Sequence, residues 1–463
     1  MTSRRDFLSG VAPAEVLSQL EAEAIAKKVL SYAKAPQTVV RISSTHARNT
    51  RFGRSDITTA RDRFGGEVRI TSTIGPRVGQ VLTQRFDDDG LKVAVAEAED
   101  AASQGPERPT TPAIKAREFP TPPGLSFDST DQTTLEQRAT LVGSAIDRAK
   151  NYTSAGTLDV DSESNLVMNS AGLVAFSRES HTRLTMTARS QDNTGSGWAG
   201  NEMYDVSKLR PADIAARAVD KCERSRNPQG VEPGRYTTVL EPAAYADMIY
   251  MMMMFQMGLD LAERGVTAFS KQGGGSKIGL KVMDERLSFV SDPMDPDGPF
   301  RPFTDDAVPY ERTPWIEDGI LRHLSFGFEH AHKVGREFGI ANPISVRLTP
   351  RADVPLMTLD EMVSTCERGI YITRVSAQFS FFRLMLFTGV TRDGTWLIEK
   401  GKITRPIKNL RYLDSHLFFL NNLEATGKPE LVAQPLAPLG QAKLVLPPVR
   451  VRDFNFTALA DAL

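Results

Sequence analysis

Apolar positions follow two different periods in the first hundred residues. From residue 13 to about 34 they recur at helical spacing, which predicts an amphipathic helix with one shared face made of Val16, Leu20, Ala24 and Val29. Segments 38–44, 56–61, 66–72 and 79–84 are rich in Val, Ile and Thr and are bounded by Gly, which predicts an antiparallel meander. A second helix is predicted from a cap at Asp87 or Asp88 to about Ala102. Helix, meander and helix together indicate an α+β domain over residues 1–103.

A proline-rich segment separates this domain from a second one. Residues 104–124 contain six prolines, which exclude a helix and indicate a linker. After it, the pattern predicts a helix over 131–151, strands through 155–196 and a helix over 211–224. The order of elements in the first domain therefore recurs in a middle α+β domain over 125–230.

The remaining residues, 231–463, form the largest predicted unit. A short strand leads through Pro242 into a strongly apolar helix, and a glycine-rich loop follows at 273–276. Many short strands come next, with helices near 358–368 and 415–425. The sequence therefore predicts an α+β, three-part chain in which antiparallel sheets are flanked by helices and the C-terminal domain is β-rich.

Composition and charge limit the possible functions. The formal net charge is −1, from 56 basic and 57 acidic residues, which argues against a nucleic-acid partner. The chain has two cysteines, Cys222 and Cys366, which lie far apart in the sequence. A disulfide framework is therefore not expected, which fits a reducing cytoplasm. The longest apolar run, 248–255, is too short to span a membrane. We predict a cytoplasmic protein; the alternative is export by the twin-arginine route, because residues 3–8 carry a twin-arginine-like motif, although no apolar segment follows.

Several motifs along the chain resemble those of one protein family. Residues 303–309 are similar to a Phe-Asp-Asp-Glu-Gly-Val-Pro stretch, and residues 315–321 to an Ile-Glu-x-Gly-x-Leu strand. Residues 49–52, 75–79, 169–172 and 397–407 also match in order and spacing. This pattern resembles the TldD/PmbA family, also called the modulator-of-DNA-gyrase family, and implies its fold.

The departures from the family pattern concern metal binding. TldD-type chains carry a His-Glu-x-x-x-His zinc motif on the apolar helix, where this chain has Tyr250, Met251 and Phe255 as the degenerate positions. The family's Asn-Pro-x-Thr-Gly-Asp-Phe-Ser segment is replaced by residues 376–382, and a late zinc-binding Cys is missing near 439–441. The resemblance is therefore closest to the TldE/PmbA-type subunit that lacks zinc.

This resemblance implies a non-catalytic subunit of a TldD/TldE-type metallopeptidase that acts on small or unfolded peptides. We expect no cofactor in this chain, zinc in a TldD-like partner, and no activity of the chain alone. The alternative is a stand-alone peptide-binding or regulatory protein of the gyrase-modulator kind. A homodimer also stays open, as does a self-sufficient enzyme that uses residues 329–332.

Other candidate chemistry in the sequence is weaker. Asp305, Asp306 and Glu311 could bind a cation or act as acid and base, but we favour a structural turn. His330 and His332 would share a face on a strand and diverge on the helix that 326–334 predicts. The loop 273–277 lacks the spacing of a phosphate-binding loop, since residues 278–280 have a strand pattern.

Two further expectations concern serine chemistry and the methionine run. Ser180 and His181 are adjacent on a predicted strand and should face opposite ways, which argues against a serine hydrolase. The run 251–254 should pack a core or an interface. We expect Met251 and Met254 to form a peptide or partner pocket, because residues three apart share a helix face.

Overall fold

The computed structural model describes residues 15–107, 112–433 and 442–460. Residues 3–8 and 439–441, to which two of the expectations above refer, lie outside these ranges. The first part consists of α1 (Gln19–Tyr32), β1 (Gln37–Gly53), β2 (Asp56–Ile74), β3 (Arg77–Thr83) and α2 (Asp88–Gln104). The second consists of α3 (Asp128–Asp131), α4 (Leu135–Arg148), β4 (Thr153–Asn169), β5 (Val174–Arg189), β6 (Ser196–Met203) and α5 (Pro211–Arg224). The predicted recurrence of element order is thus present.

Two local predictions for the first part are wrong. The buried face of α1 is made of Ala22, Ile25, Ala26 and Val29, whereas Leu20 is 79% exposed. These buried residues follow one another at spacings of three, one and three, which keep them on one face of a helix with 3.6 residues per turn. The predicted face used steps of about four residues, which drift around the helix. Segments 56–61 and 66–72 belong to one long strand, β2, because Gly65 and Gly66 continue the pairing with β1 and do not form a turn.

One sheet joins the first two parts of the chain. Its strand order is β3-β2-β1-β4-β5-β6, and the central β1–β4 pair is antiparallel from Val39 opposite Asn169 to Phe52 opposite Gly156. Alternate residues such as Val40 and Val160 are buried in cores shared with the helices. The other face carries polar residues and faces the C-terminal part. The domain boundaries at 103, 124 and 230 stay predictions, although strands from both sides of the predicted linker pair here.

The C-terminal part is rich in strands. Its helices are α6 (Pro242–Phe255), α7 (Leu259–Glu263), α8 (Phe328–Lys333), α9 (Leu359–Ser364) and α10 (His416–Phe419). Its strands are β7 (Gly234–Leu240), β8 (Leu287–Ser291), β9 (Thr313–Glu317), β10 (Ile320–Leu321), β11 (Ser345–Pro350), β12 (Arg368–Val375), β13 (Gln378–Phe381), β14 (Leu386–Glu399), β15 (Lys402–Pro406), β16 (Leu410–Ser415), β17 (Leu423–Thr426), β18 (Glu430–Leu431), β19 (Lys443–Leu446) and β20 (Val449–Leu459).

These strands form two sheets around α6. The first has the order β10-β9-β8-β11-β19-β18. The second has the order β12-β7-β20-β16-β14-β13, with β15 on β14 and β17 on β20, and a further β12–β14 pairing closes it on itself. Core residues of α6 share one apolar cluster with both sheets, including Phe289 of β8 and Ile372 of β12. The predicted α+β class with a β-rich C-terminal part is confirmed. Within the described ranges, no helix is long and apolar enough to cross a membrane.

Candidate functional site

Helix α6 carries Tyr250, Met251 and Phe255, the positions that the resemblance equates with a zinc motif. Pro242 stands in the first turn, where its missing N–H and fixed φ suit a helix start. The helix ends at Phe255, and the backbone N–H of Gln256 donates to the carbonyl of Met252. Because the helix lies between two sheets, eleven of its fourteen residues are buried, as expected for a helix that is apolar on all sides.

The methionine run divides between the inside and the outside of the protein. Tyr250, Met252 and Met253 are buried, and Met251 is half-buried. Met254 and Phe255 are exposed by 43% and 46%. A helix turns about 100° per residue, so four consecutive side chains cannot share one environment. Met251 and Met254 are therefore the two less buried members of the run, and their role as a pocket pair stays a prediction.

The exposed end of α6 packs against the segment that replaces the second family motif. Phe255 forms edge-on contacts with Phe379 of β13 at 6.2 Å and with Phe382 at 6.5 Å between ring centroids. Phe379 in turn stacks on Phe387 of β14 at 4.7 Å. The buried amide of Gln256 ties the same elements together by donating to the carbonyl of Phe382 and accepting from the N–H of Ala268. The two departures from the family pattern thus form one aromatic cluster.

A buried histidine completes this cluster. His416, at the start of α10, lies 5.8 Å from the Phe387 ring, and its Nε2 is 3.1 Å from the Sδ of Met252. Burial lowers the pKa of its imidazole to about 3, so the ring is neutral at physiological pH. Sequence reasoning missed this residue because 164 positions separate it from Met252. The only signal in the sequence was a histidine directly before the apolar run 417–420.

The residues at the degenerate positions do not fit zinc. Zinc is held by thiolate, imidazole or carboxylate groups, whereas Met251 and Phe255 offer none of these. Burial raises the pKa of the Tyr250 phenol, which disfavours the phenolate. Among the described residues, no group of three or more His, Cys, Asp or Glu side chains is placed to hold a metal ion. That the chain carries no zinc stays a prediction.

The three carboxylates of the 305–311 loop have separate environments. Asp305 is within 2.5 Å of Arg301, 3.1 Å of Arg41 and 3.7 Å of Arg69, so it links the loop to the polar face of the N-terminal sheet. Asp306 forms no ion pair with these arginines; the residue is open to solvent on one side, although neighbouring protein atoms partly desolvate its carboxylate. Glu311 pairs with Arg336 at 3.3 Å. Asp305 and Asp306 are the two central residues of a turn that the N–H of Ala307 closes by donating to the carbonyl of Thr304 at 2.9 Å, as predicted, whereas Glu311 lies beyond it.

The histidine pair of α8 does not converge. His330 packs on the ring of Phe326 at 4.6 Å, and His332 on the ring of Phe328 at 6.3 Å. The helix predicted there is confirmed, and on it the two imidazoles have different aromatic partners.

Ser180 and His181 lie on opposite faces of β5, as predicted. The hydroxyl of Ser180 donates to the carbonyl of Tyr204, while His181 faces Glu202 at 2.9 Å. In the glycine-rich loop, the ammonium group of Lys277 donates to the carbonyl of Ala268. Residues 278–280 form a turn, with Gly279 at a φ of 85°, and the strand predicted there is wrong.

A buried ion pair connects the N-terminal sheet with the C-terminal part. Lys443 of β19 lies 3.0 Å from Glu202 of β6, and both side chains are almost fully buried. Burial alone would raise the pKa of Glu202, but the charges of Lys443 and His181 outweigh it and lower the pKa to about 2. On the neighbouring strand, burial and the adjacent Glu163 raise the pKa of Glu179 to about 7. This part of the interface is ionic, and an apolar cluster that includes Val167 and Phe303 lies elsewhere between the same two parts.

Comparisons with known proteins agree with the motifs and the fold. Family models of the PmbA/TldA metallopeptidase central and C-terminal domains match residues 128–226 and 233–458. A metalloprotease from Archaeoglobus fulgidus is 24% identical over 159 residues, which are 32% of this chain and 36% of that protein. The chain therefore aligns with about a third of the length of this relative.

Solved structures resemble the whole chain. A modulator of a DNA gyrase from Thermotoga maritima matches 94% of this chain and 100% of its own, with a TM-score of 0.80 and 18% identity. TldE from Thermococcus kodakarensis matches 95% of this chain and 100% of its own, with a TM-score of 0.75 and 16% identity. At these identities the likeness defines the fold, which is that of PmbA/TldD-type proteins. With the two matching family models, the chain belongs to the TldD/PmbA family, which is metallopeptidase-like.

Proposed function

We propose that this chain is the non-catalytic subunit of a TldD/TldE-type metallopeptidase that acts on small or unfolded peptides. The observation that carries the proposal is the aromatic cluster at α6. Where a zinc-binding chain needs two imidazoles and a carboxylate, this chain has Tyr250, Met251 and Phe255, and the substituted segment 376–382 packs on Phe255. A TldD-like partner would supply the zinc and the water that it activates.

The surface of this cluster supports a role in association. Four large apolar side chains are exposed at the end of α6 and over residues 381–384, which begin within the segment that packs against it: Met254, Phe255, Phe381 and Leu384. We call these four residues the apolar rim. Adjacent exposed apolar side chains mark interaction sites more often than isolated ones do. A partner subunit that covers the apolar rim would remove them from water.

Affinity purification from the native host tests this proposal. The tagged chain should copurify with a protein that carries an intact His-Glu-x-x-x-His motif. Leu384→Ser should reduce the recovered partner at least tenfold, because it removes a rim residue that is 61% exposed. Leu20→Ser is the matched control, since Leu20 is exposed on α1 in another part of the fold. Recovery of this chain alone, at native concentration, would favour the stand-alone binding protein.

A further inference from the structure

A cavity lies away from α6, between the N-terminal sheet and the C-terminal part. Its volume is about 470 Å³, which lies in the range of small-molecule sites. One wall is the polar face of β1, β2 and β3, where Val39 and Val78 are the apolar members. The opposite wall includes the rings of Phe326 and Phe328. The lining residues of this chain form the cavity by themselves, without residues of a partner subunit.

One charged residue lines this cavity among the described residues, and it is Asp306. The neighbouring Asp305 takes the nearby guanidinium groups of Arg41, Arg69 and Arg301 as its ion-pair partners. Glu67 also contacts Arg41 and Arg69, at 3.5 and 3.6 Å. Asp306 forms no ion pair with a described residue. The loop therefore presents one carboxylate without a direct ion-pair partner among the described residues to an otherwise uncharged cavity lining.

The environment of Asp306 favours a cationic ligand. Its pKa is raised, first by burial and then by the charge of Asp305, while Arg69 and Arg41 act in the opposite direction at longer range. A cation that binds beside the carboxylate would compensate for both effects. The side chains around it are apolar or neutral, so they suit a hydrocarbon or aromatic body and offer no second charge.

We propose that this cavity binds a primary ammonium group attached to an apolar body, with Asp306 as the ammonium ligand. The same chemistry occurs in a free hydrophobic amine and at the amino terminus of a short apolar peptide. Valine and phenylalanine walls bury the apolar body, and the carboxylate accepts hydrogen bonds from the ammonium group, as charge-assisted bonds require. The site is independent of the proposed subunit role.

Isothermal titration calorimetry of the full chain tests the site with three probes. Leucyl-leucinamide carries a free amino terminus, 4-phenylbutylamine carries an amine without a peptide, and acetyl-leucyl-leucinamide carries no charge. At least one cationic probe should bind, and the acetylated peptide should bind at least about tenfold more weakly, as expected for the loss of a hydrogen bond to a charged group. The cationic probe with the higher affinity shows whether the site prefers a free hydrophobic amine or the amino terminus of a peptide.

Two variants separate the carboxylate from its surroundings. Asp306→Asn should weaken binding of the cationic probe about tenfold and leave the melting temperature unchanged, because the side chain has no ion pair to lose. Glu311→Gln removes the same charge from the same loop, outside this cavity, and should bind like the wild type. Absence of binding by both amines, equal binding of the acetylated peptide, or unchanged binding by Asp306→Asn would each overturn the proposal.

Discussion

The Nε2 atom of His416 lies 3.1 Å from the Sδ atom of Met252 in the core of the C-terminal part. This imidazole, beside the degenerate motif, therefore faces a thioether, which is a weak acceptor. The contact also connects α6 with α10, which follows β16. Because His416 is buried against apolar groups, the native packing favours its neutral imidazole.

Acidification should reveal this buried histidine. The folded pKa of His416 is about 3 and its ordinary value is 6.5, so below pH 6.5 the unfolded chain binds one more proton than the native chain. Stability should fall by about 1.4 kcal/mol for each pH unit below 6.5 from this group alone. Urea unfolding of wild type and His416→Gln at pH 7 and pH 5 should give a steeper loss for the wild type. Burial also raises the pKa of Asp414 to about 6 and that of Glu179 to about 7, but these groups titrate in both the wild type and the variant. An equal loss of stability between pH 7 and pH 5 in the two proteins would therefore contradict a lowered pKa for His416.

An aspartate scan of the methionine run should give an uneven result. Met253→Asp places an uncompensated charge in the core and should lower the melting temperature sharply or unfold the domain. Met254→Asp lies on the exposed side and should change stability by about 0.5 kcal/mol or less, while weakening partner or peptide binding. Thermal melts and affinity purification measure the two effects. A similar collapse for both variants would exclude a binding role for the outer face of α6.

Removing one partner of the buried Lys443–Glu202 ion pair, which connects the N-terminal sheet with the C-terminal part, should destabilise the protein. Lys443→Met leaves the buried Glu202 with His181 as its remaining cationic partner, and the loss of the ammonium group should destabilise the protein by about 1.5–3 kcal/mol. Adding Glu202→Gln should recover part of that loss. Lys27→Met is the control, because its pair with Glu23 lies at the surface and should contribute about 1 kcal/mol or less. Chemical denaturation that finds the two lysine variants equal would contradict the structural role of this interface.

Metal analysis should find well below one zinc per chain in the purified chain once any partner subunit has been removed. The reason is the donor set, since Tyr250, Met251 and Phe255 replace the motif ligands and the imidazoles of His330 and His332 pack on different rings. Elemental analysis by mass spectrometry after dialysis provides the measurement. Stoichiometric zinc that survives dialysis would require a site elsewhere in the chain.

The local elements of the fold were predictable and their long-range partners were not. Ser18, Asp87 and Thr358 cap their helices by short-range hydrogen bonds that the sequence encodes directly. The joining of β1 to β4 brings together residues more than a hundred positions apart, and alternation within a strand does not specify its neighbour. For the same reason the sequence did not predict the contact between Met252 and His416. It also did not predict that Asp305 forms ion pairs with arginines and Asp306 does not. Resemblance to a family located α6, and only packing showed which of its methionines face outward.

Peptide cleavage by reconstituted mixtures tests the central claim most directly. This chain, its copurified zinc-bearing partner and an equimolar mixture of the two are assayed on an unstructured peptide with and without a zinc chelator. We predict no cleavage by this chain alone and chelator-sensitive cleavage by the mixture, because the partner supplies the metal and the activated water. Chelator-sensitive cleavage by the isolated chain, at a rate that the mixture does not increase, would contradict the account.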